Sequence, residues 1–70
     1  MSDVLLERRR RRETGTTVEV WFGFDGAPGF QTVCVEHGGI CEHEASADAR
    51  YWARRPRDWC PGCQVDGAGR

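Results

Sequence analysis

Four cysteines and two histidines, all of those in the 70-residue chain, fall between Cys34 and Cys63. Cys34-Val35-Glu36-His37 and Cys60-Pro61-Gly62-Cys63 each set two metal-capable side chains three positions apart, a spacing at which one tight turn can aim both at a single tetrahedral ion. With 22 residues between the two turns, the pattern predicts one structural zinc held by Cys34, His37, Cys60 and Cys63. Three thiolates on a divalent cation leave a net charge of about −1, which a nearby arginine would offset; Arg57 is the candidate by sequence proximity. After a modest change of loop path, either Cys41 or His43 could replace Cys34 or His37. Otherwise Cys41 is a small buried apolar residue beside Ile40, and His43 is a helix-start side chain bonded to backbone.

Catalytic readings fail residue by residue. His43-Glu44-Ala45-Ser46-Ala47 begins like the H-E-x-x-H metalloprotease helix, but Ala47 stands at the second histidine position. The zinc-deaminase pattern fails at Ala45 and Trp59. The HNH nucleases, which sometimes carry Cys-x-x-Cys pairs, need an asparagine, and the chain has none. Trp59-Cys60-Pro61-Gly62-Cys63 is similar to the thioredoxin active-site segment with Gly and Pro exchanged, over five residues only. That chemistry requires a helix directly after the first cysteine inside a βαβ framework, and Gly67 and Gly69 discourage a helix. A full set of four ligands also leaves no open coordination position, so the chain is not expected to be an enzyme.

A chain this short forms one domain at most, and its hydrophobic core alone seldom contributes more than about 3–5 kcal/mol. A bound zinc contributes an apparent ~10–16 kcal/mol. Four cysteines would also permit three disulfide pairings. Met1 to Glu7 followed by arginines lacks the apolar run of a signal peptide, so a reducing cytoplasmic location, in a bacterial cell or phage-infected host, is expected. No apolar run approaches the length of a membrane span.

The elements that must position the ligands are few. Residues 1–13 carry five arginines against Asp3, Glu7 and Glu13, a charge of +2, and residues 14–70 carry −3. Five adjacent like charges and only Val4, Leu5 and Leu6 to bury predict a flexible basic arm, with Ser2 as a helix cap if it orders on a partner. Thr17-Val18-Glu19-Val20-Trp21-Phe22 alternates as a strand, with Val18, Val20 and Phe22 on one face. A loop rich in glycine leads to a returning strand over Phe30–Val35, where Thr32 and Cys34 share a face. A helix over Glu44–Arg54 follows, with Ala45, Ala49, Trp52 and Ala53 in an apolar stripe and Pro56 ending it. Residues 65–70 read as a disordered tail. The expected fold is therefore α+β: a zinc-binding ββα domain over residues 14–64, with a β-hairpin, one short helix packed by Ala45, Ala49 and Trp52 on the Val18/Val20/Phe22 face, and a C-terminal zinc knuckle.

Thr32-Val33-Cys34-Val35-Glu36-His37-Gly38, His43-Glu44, the alanine-bearing helix through Ala49-Arg50, and Trp59-Cys60-Pro61-Gly62-Cys63 together resemble small zinc-ribbon-like proteins of actinobacteria and their phages, over about residues 30–64. The resemblance implies the Cys-x-x-His and Cys-x-x-Cys ligand pairs and an intracellular setting. It also gives weight to His43 and little to Cys41.

Function is expected to reside outside the metal site. A protein-interaction module, adaptor or regulator ranks first, because a domain that is net acidic reads nucleic acid poorly. Nucleic-acid binding is the alternative, through Arg8, Arg9, Arg10, Arg11 and Arg12 and the helix-side Arg50, Arg54, Arg55 and Arg57, with Trp21, Trp52 and Trp59 as stacking platforms. A structural role in a phage particle or larger assembly comes third.

Overall fold

The computed structural model describes residues 3–68; Ser2 and the last two residues of the expected tail lie outside them. The elements run β1 (Val4–Arg10), β2 (Thr17–Phe22), β3 (Phe30–Cys34), β4 (Ile40–His43), α1 (Ser46–Ala53) and α2 (Pro61–Ala68). The strands form one antiparallel sheet in the order β1-β2-β3-β4, so the α+β class and the β2–β3 hairpin are as expected, and the sheet is twice as wide.

The added strand β1 replaces the expected flexible arm. Along an extended chain successive side chains point to opposite faces, so neighbouring arginines are separated and each face meets its own acids. Arg8 lies directly opposite Glu19, with its guanidinium 3.4 Å from that carboxylate. On the other face Glu7 gathers Arg9 at 3.5 Å, Arg11 at 3.4 Å and Arg50 of α1 at 3.3 Å. Exposed ion pairs contribute little singly, about 0–1 kcal/mol, but here one carboxylate joins strand, turn and helix. The register slips at Leu6, a β-bulge between the aliphatic and arginine halves of β1. The other added strand, β4, takes the residues expected to lead into the helix, and α1 therefore begins at Ser46 instead of Glu44.

The pairs Val18↔Cys34, Val20↔Thr32, Phe22↔Phe30, Thr32↔Cys41 and Phe30↔His43 place all these residues on one face of the sheet. Val18 and Val20 pack there against Ala49 and Ala53 of α1. The small helix residues let the backbone come close to the sheet, which fits so short a chain. Ala45 and Trp52 do not join this core as expected: Ala45 precedes the helix, and Trp52 is 36% exposed. Trp59 does their work instead. It packs against both the apolar core and the cysteine cluster, and its indole N–H donates to the Trp52 carbonyl at 2.6 Å. Phe22, 46% exposed, pairs its ring with Phe30 at the rim.

Pro56 ends α1 as expected and starts a single 3-10 turn over Pro56–Asp58. Beyond it, Pro61–Ala68 is helical where a frayed tail was expected through its glycines. Proline suits a first helical position because its missing N–H would have no partner there.

On the opposite face of the sheet, Gln31 is 99% buried beneath the β2–β3 loop. Its amide donates to the Pro28 carbonyl at 2.9 Å and accepts from the Phe24 N–H at 2.8 Å, which pins both sides of the loop. Gln31→Leu removes both partners and is expected to cost about 1–3 kcal/mol in urea unfolding of the metal-loaded protein. Unchanged stability would show that the loop is held by other contacts.

Candidate metal centre

The ligand turns occupy the two ends of the ββα core. Cys34 is the last residue of β3, and the chain turns at once: Gly38 N–H donates to the Cys34 carbonyl at 2.7 Å and Cys34 N–H to the Gly39 carbonyl at 2.8 Å. Gly38 has φ +74°, the left-handed conformation that glycine adopts without Cβ strain. Glu36 anchors the turn from outside by accepting the Thr17 N–H at 2.8 Å, the main reason its carboxyl titrates below the ordinary range. In the second turn Cys60 immediately precedes α2 and Cys63 lies in its first turn, with Gln64 N–H donating to the Cys60 carbonyl at 3.0 Å. Between them Gly62 faces the His37 ring so closely that any Cβ would overlap it.

These turns bring Cys34, His37, Cys60 and Cys63 together, with their donor atoms all within 4.8 Å of one another. His37 Nδ1 lies 3.4 Å from Cys34 Sγ, 3.4 Å from Cys63 Sγ and 3.7 Å from Cys60 Sγ, and Cys34 Sγ is 3.6 Å from Cys63 Sγ. A tetrahedral ion with metal–sulfur bonds of about 2.3 Å and a metal–nitrogen bond of about 2.0 Å has edges of about 3.8 Å and 3.5 Å. The four measured separations are compatible with one tetrahedral metal ion held by these donors. A disulfide would leave the imidazole without purpose, and all four cysteines are free thiols.

Electrostatics within the cluster point the same way. Burial raises the Cys60 thiol, but hydrogen bonds from the Cys63 backbone and from the Cys63, Cys34 and His37 side chains outweigh it, and Cys60 titrates below the ordinary thiol range. Cys63 moves oppositely: burial, together with Cys34 and Cys60 and against the Thr16 hydroxyl, pushes it up to about 12. Thiols in contact cannot all ionise side by side, and a divalent cation removes that conflict.

Arg57 does not support the cluster as expected; its guanidinium lies 3.9 Å from Glu13. The neighbour is Thr16, whose hydroxyl is 3.5 Å from Cys63 Sγ and 2.6 Å from the Thr14 hydroxyl. Both threonines are buried in the β1–β2 connection, which sequence spacing gives no reason to place beside Cys63. Cys41 sits apart on β4, partly exposed, and its neighbour Ile40 is 52% exposed, so no buried apolar pocket forms there. His43 is a strand residue, not a helix start, and its Nε2 is 3.1 Å from the Thr32 hydroxyl instead of a backbone group. Burial, opposed by Asp48, holds His43 below the ordinary histidine range. Among the described residues no second cluster of three or more such donors forms.

The thioredoxin-like segment does have a helix after its first cysteine, contrary to the expectation from Gly67 and Gly69, but the sheet around it is wholly antiparallel.

The remaining sequence candidates are surface arginines. Arg8, Arg9, Arg11 and Arg50 are tied to Glu7 and Glu19, and the charge of Arg10 acts on Glu36. Arg54, Arg55 and Arg57 line an open groove with Tyr51, Glu13 and Asp58, and the Arg55 guanidinium lies 4.9 Å from the Tyr51 ring centre.

The geometry makes opposite predictions for the two cysteine classes. Cys41→Ser is expected to retain one metal ion per chain, while His37→Ala weakens binding and Gly62→Ala disrupts it by displacing His37; competitive chelator titration measures all three. Thr16→Val removes the hydroxyl beside Cys63 and is expected to lower metal affinity roughly 10- to 100-fold. Metal loss in Cys41→Ser with retention in His37→Ala would reverse the ligand assignment. No family model, curated protein or solved structure matches this chain.

Proposed function

We propose that this chain is a small zinc-dependent binding module, an adaptor or regulator in which one zinc ion is structural and no catalysis takes place. The observation that carries this reading is the donor set: Cys34, Cys60 and Cys63 are fully buried and, with the exposed His37 beside them, would supply the four ligands of a tetrahedral ion. Water or substrate would find no coordination position. Zinc is the preferred ion because a thiolate-rich tetrahedral donor set suits it and because it carries no redox activity. Free thiols fit a reducing cytoplasm, and the likeness to zinc-ribbon-like proteins of actinobacteria and their phages belongs to the same proposal. No helix among the described residues is long and apolar enough to cross a membrane.

A protein partner is the first choice because residues 14–70 carry a net charge of −3, which suits a polyphosphate backbone poorly. One observation favours nucleic acid as the second reading, namely the groove of Tyr51, Arg54, Arg55 and Arg57, where guanidinium groups flank an aromatic ring.

Cobalt substitution tests the metal part: Co2+ is expected to give the intense visible bands of a tetrahedral thiolate-rich site, to be displaced by zinc, and to give no such bands in Cys34→Ser. Capture from lysate separates the partner classes. Retention of the same protein after nuclease treatment supports the adaptor reading, and loss of all captured material on that treatment would transfer the role to the arginine groove.

A further inference from the structure

The outer edge of β1 is the feature that neither the metal centre nor the core uses. As the first strand in the sheet order, β1 has one neighbour, and a strand with one neighbour turns alternate N–H and C=O groups outward, ready to pair with another chain. Its side chains divide into two blocks about the bulge at Leu6. Val4, Leu5 and Leu6 are each between 37% and 44% exposed. Beyond the bulge, the Arg8 and Arg9 side chains are 60% and 69% exposed even with their intramolecular carboxylates in place, and Arg10 is exposed, its charge acting on Glu36.

We propose that this edge docks an extended peptide as a fifth strand, and that the peptide carries carboxylates over one half and aliphatic side chains over the other. The inference rests on the binding-module reading and names its contact surface and its partner's chemistry. Every strand pair in the sheet is antiparallel, so an incoming strand is placed antiparallel too. Its N-terminal half then lies against Arg8, Arg9 and Arg10 and must be acidic, and its C-terminal half lies against Val4, Leu5 and Leu6. Main-chain hydrogen bonds along the edge supply affinity, and the two blocks supply register and specificity.

A second copy of this chain suits the edge badly. Antiparallel self-pairing centred on Glu7 sets Glu7 against Glu7 and Arg8 against Leu6, pairing centred on Arg8 matches Glu7 with Arg9 but sets Arg8 against Arg8, and pairing centred on Arg9 sets Arg8 against Arg10; like charges directly opposite one another are destabilising. The arginines thus guard the strand against itself and select an acidic partner.

The probe is a fluorescein-labelled seven-residue peptide alternating glutamate and threonine over its first four positions and carrying valine over its last three. Anisotropy titration of the zinc-loaded full chain is compared with three controls: a lysine-for-glutamate peptide, a version with proline at two alternate positions, and single-stranded DNA at the same salt concentration. The glutamate peptide is expected to bind at least tenfold more tightly than the lysine and proline versions. Arg8→Gln, a change at a side chain 60% exposed and paired with Glu19 away from the ligand turns, is expected to weaken it severalfold while the cobalt spectrum is unaltered. Amides of β1 are expected to gain protection from hydrogen exchange in the complex. Equal binding of the proline peptide would overturn edge pairing, as would absence of peptide binding by metal-loaded protein, protection of β1 by dimer formation, or DNA competing the peptide away. Failure of the module reading is a different result: metal stays bound but no protein is retained from nuclease-treated lysate.

Discussion

Three sulfur atoms and an imidazole nitrogen, all within 4.8 Å of one another, form an arrangement that could hold a metal ion. Buried thiols in contact would drive one another's ionisation apart, as the opposed shifts of Cys60 and Cys63 show, and only a positive charge at their centre makes all of them good ligands together. The rest of the molecule depends on that convergence. It joins the end of β3 to the start of α2, and Trp59 carries the junction into the small core of Val18, Val20, Ala49 and Ala53. A core of two valines and two alanines, with Phe30 and Trp59 packed against it, is small for such a chain, and an ion at the cluster would supply a further constraint.

A second constraint is electrostatic and local. Five consecutive arginines look like an unstructured arm when counted as charge, but the first three lie in a strand that distributes them to alternate faces. Glu19 waits on one face and Glu7 on the other, and Glu7 reaches Arg50 of α1 as well. The strand thereby becomes the sheet's edge. It presents aliphatic and cationic blocks in line, separated by a bulge, and this is the surface proposed to take a partner strand.

The parts of the fold that were legible from sequence are those with strong local codes. The alternation in Thr17–Phe22, the proline at 56 and the paired Cys-x-x-His and Cys-x-x-Cys spacings each constrain structure within a few residues, and the structure brings the four proposed ligands into one cluster. Illegible parts were those decided by distant partners. Nothing near Arg8 announces Glu19, nothing near Cys63 announces Thr16, and Ile40–His43 is too short and too polar to stand out as a strand until β3 offers its backbone. Trp59 took the place on the core that was expected of Trp52 for the same reason: helical periodicity nominated Trp52, while the path of the second turn put Trp59 over the core. In the tail, the position of Pro61 at the first turn of a helix outweighed the glycines that follow.

Native mass spectrometry of the protein with and without a chelator, read beside far-ultraviolet circular dichroism of the same samples, tests the central claim most directly. One zinc ion per folded chain, with loss of the ion and of regular secondary structure together on chelation, is the predicted result. A metal-free chain that keeps its folded charge-state distribution and its dichroism would contradict the account.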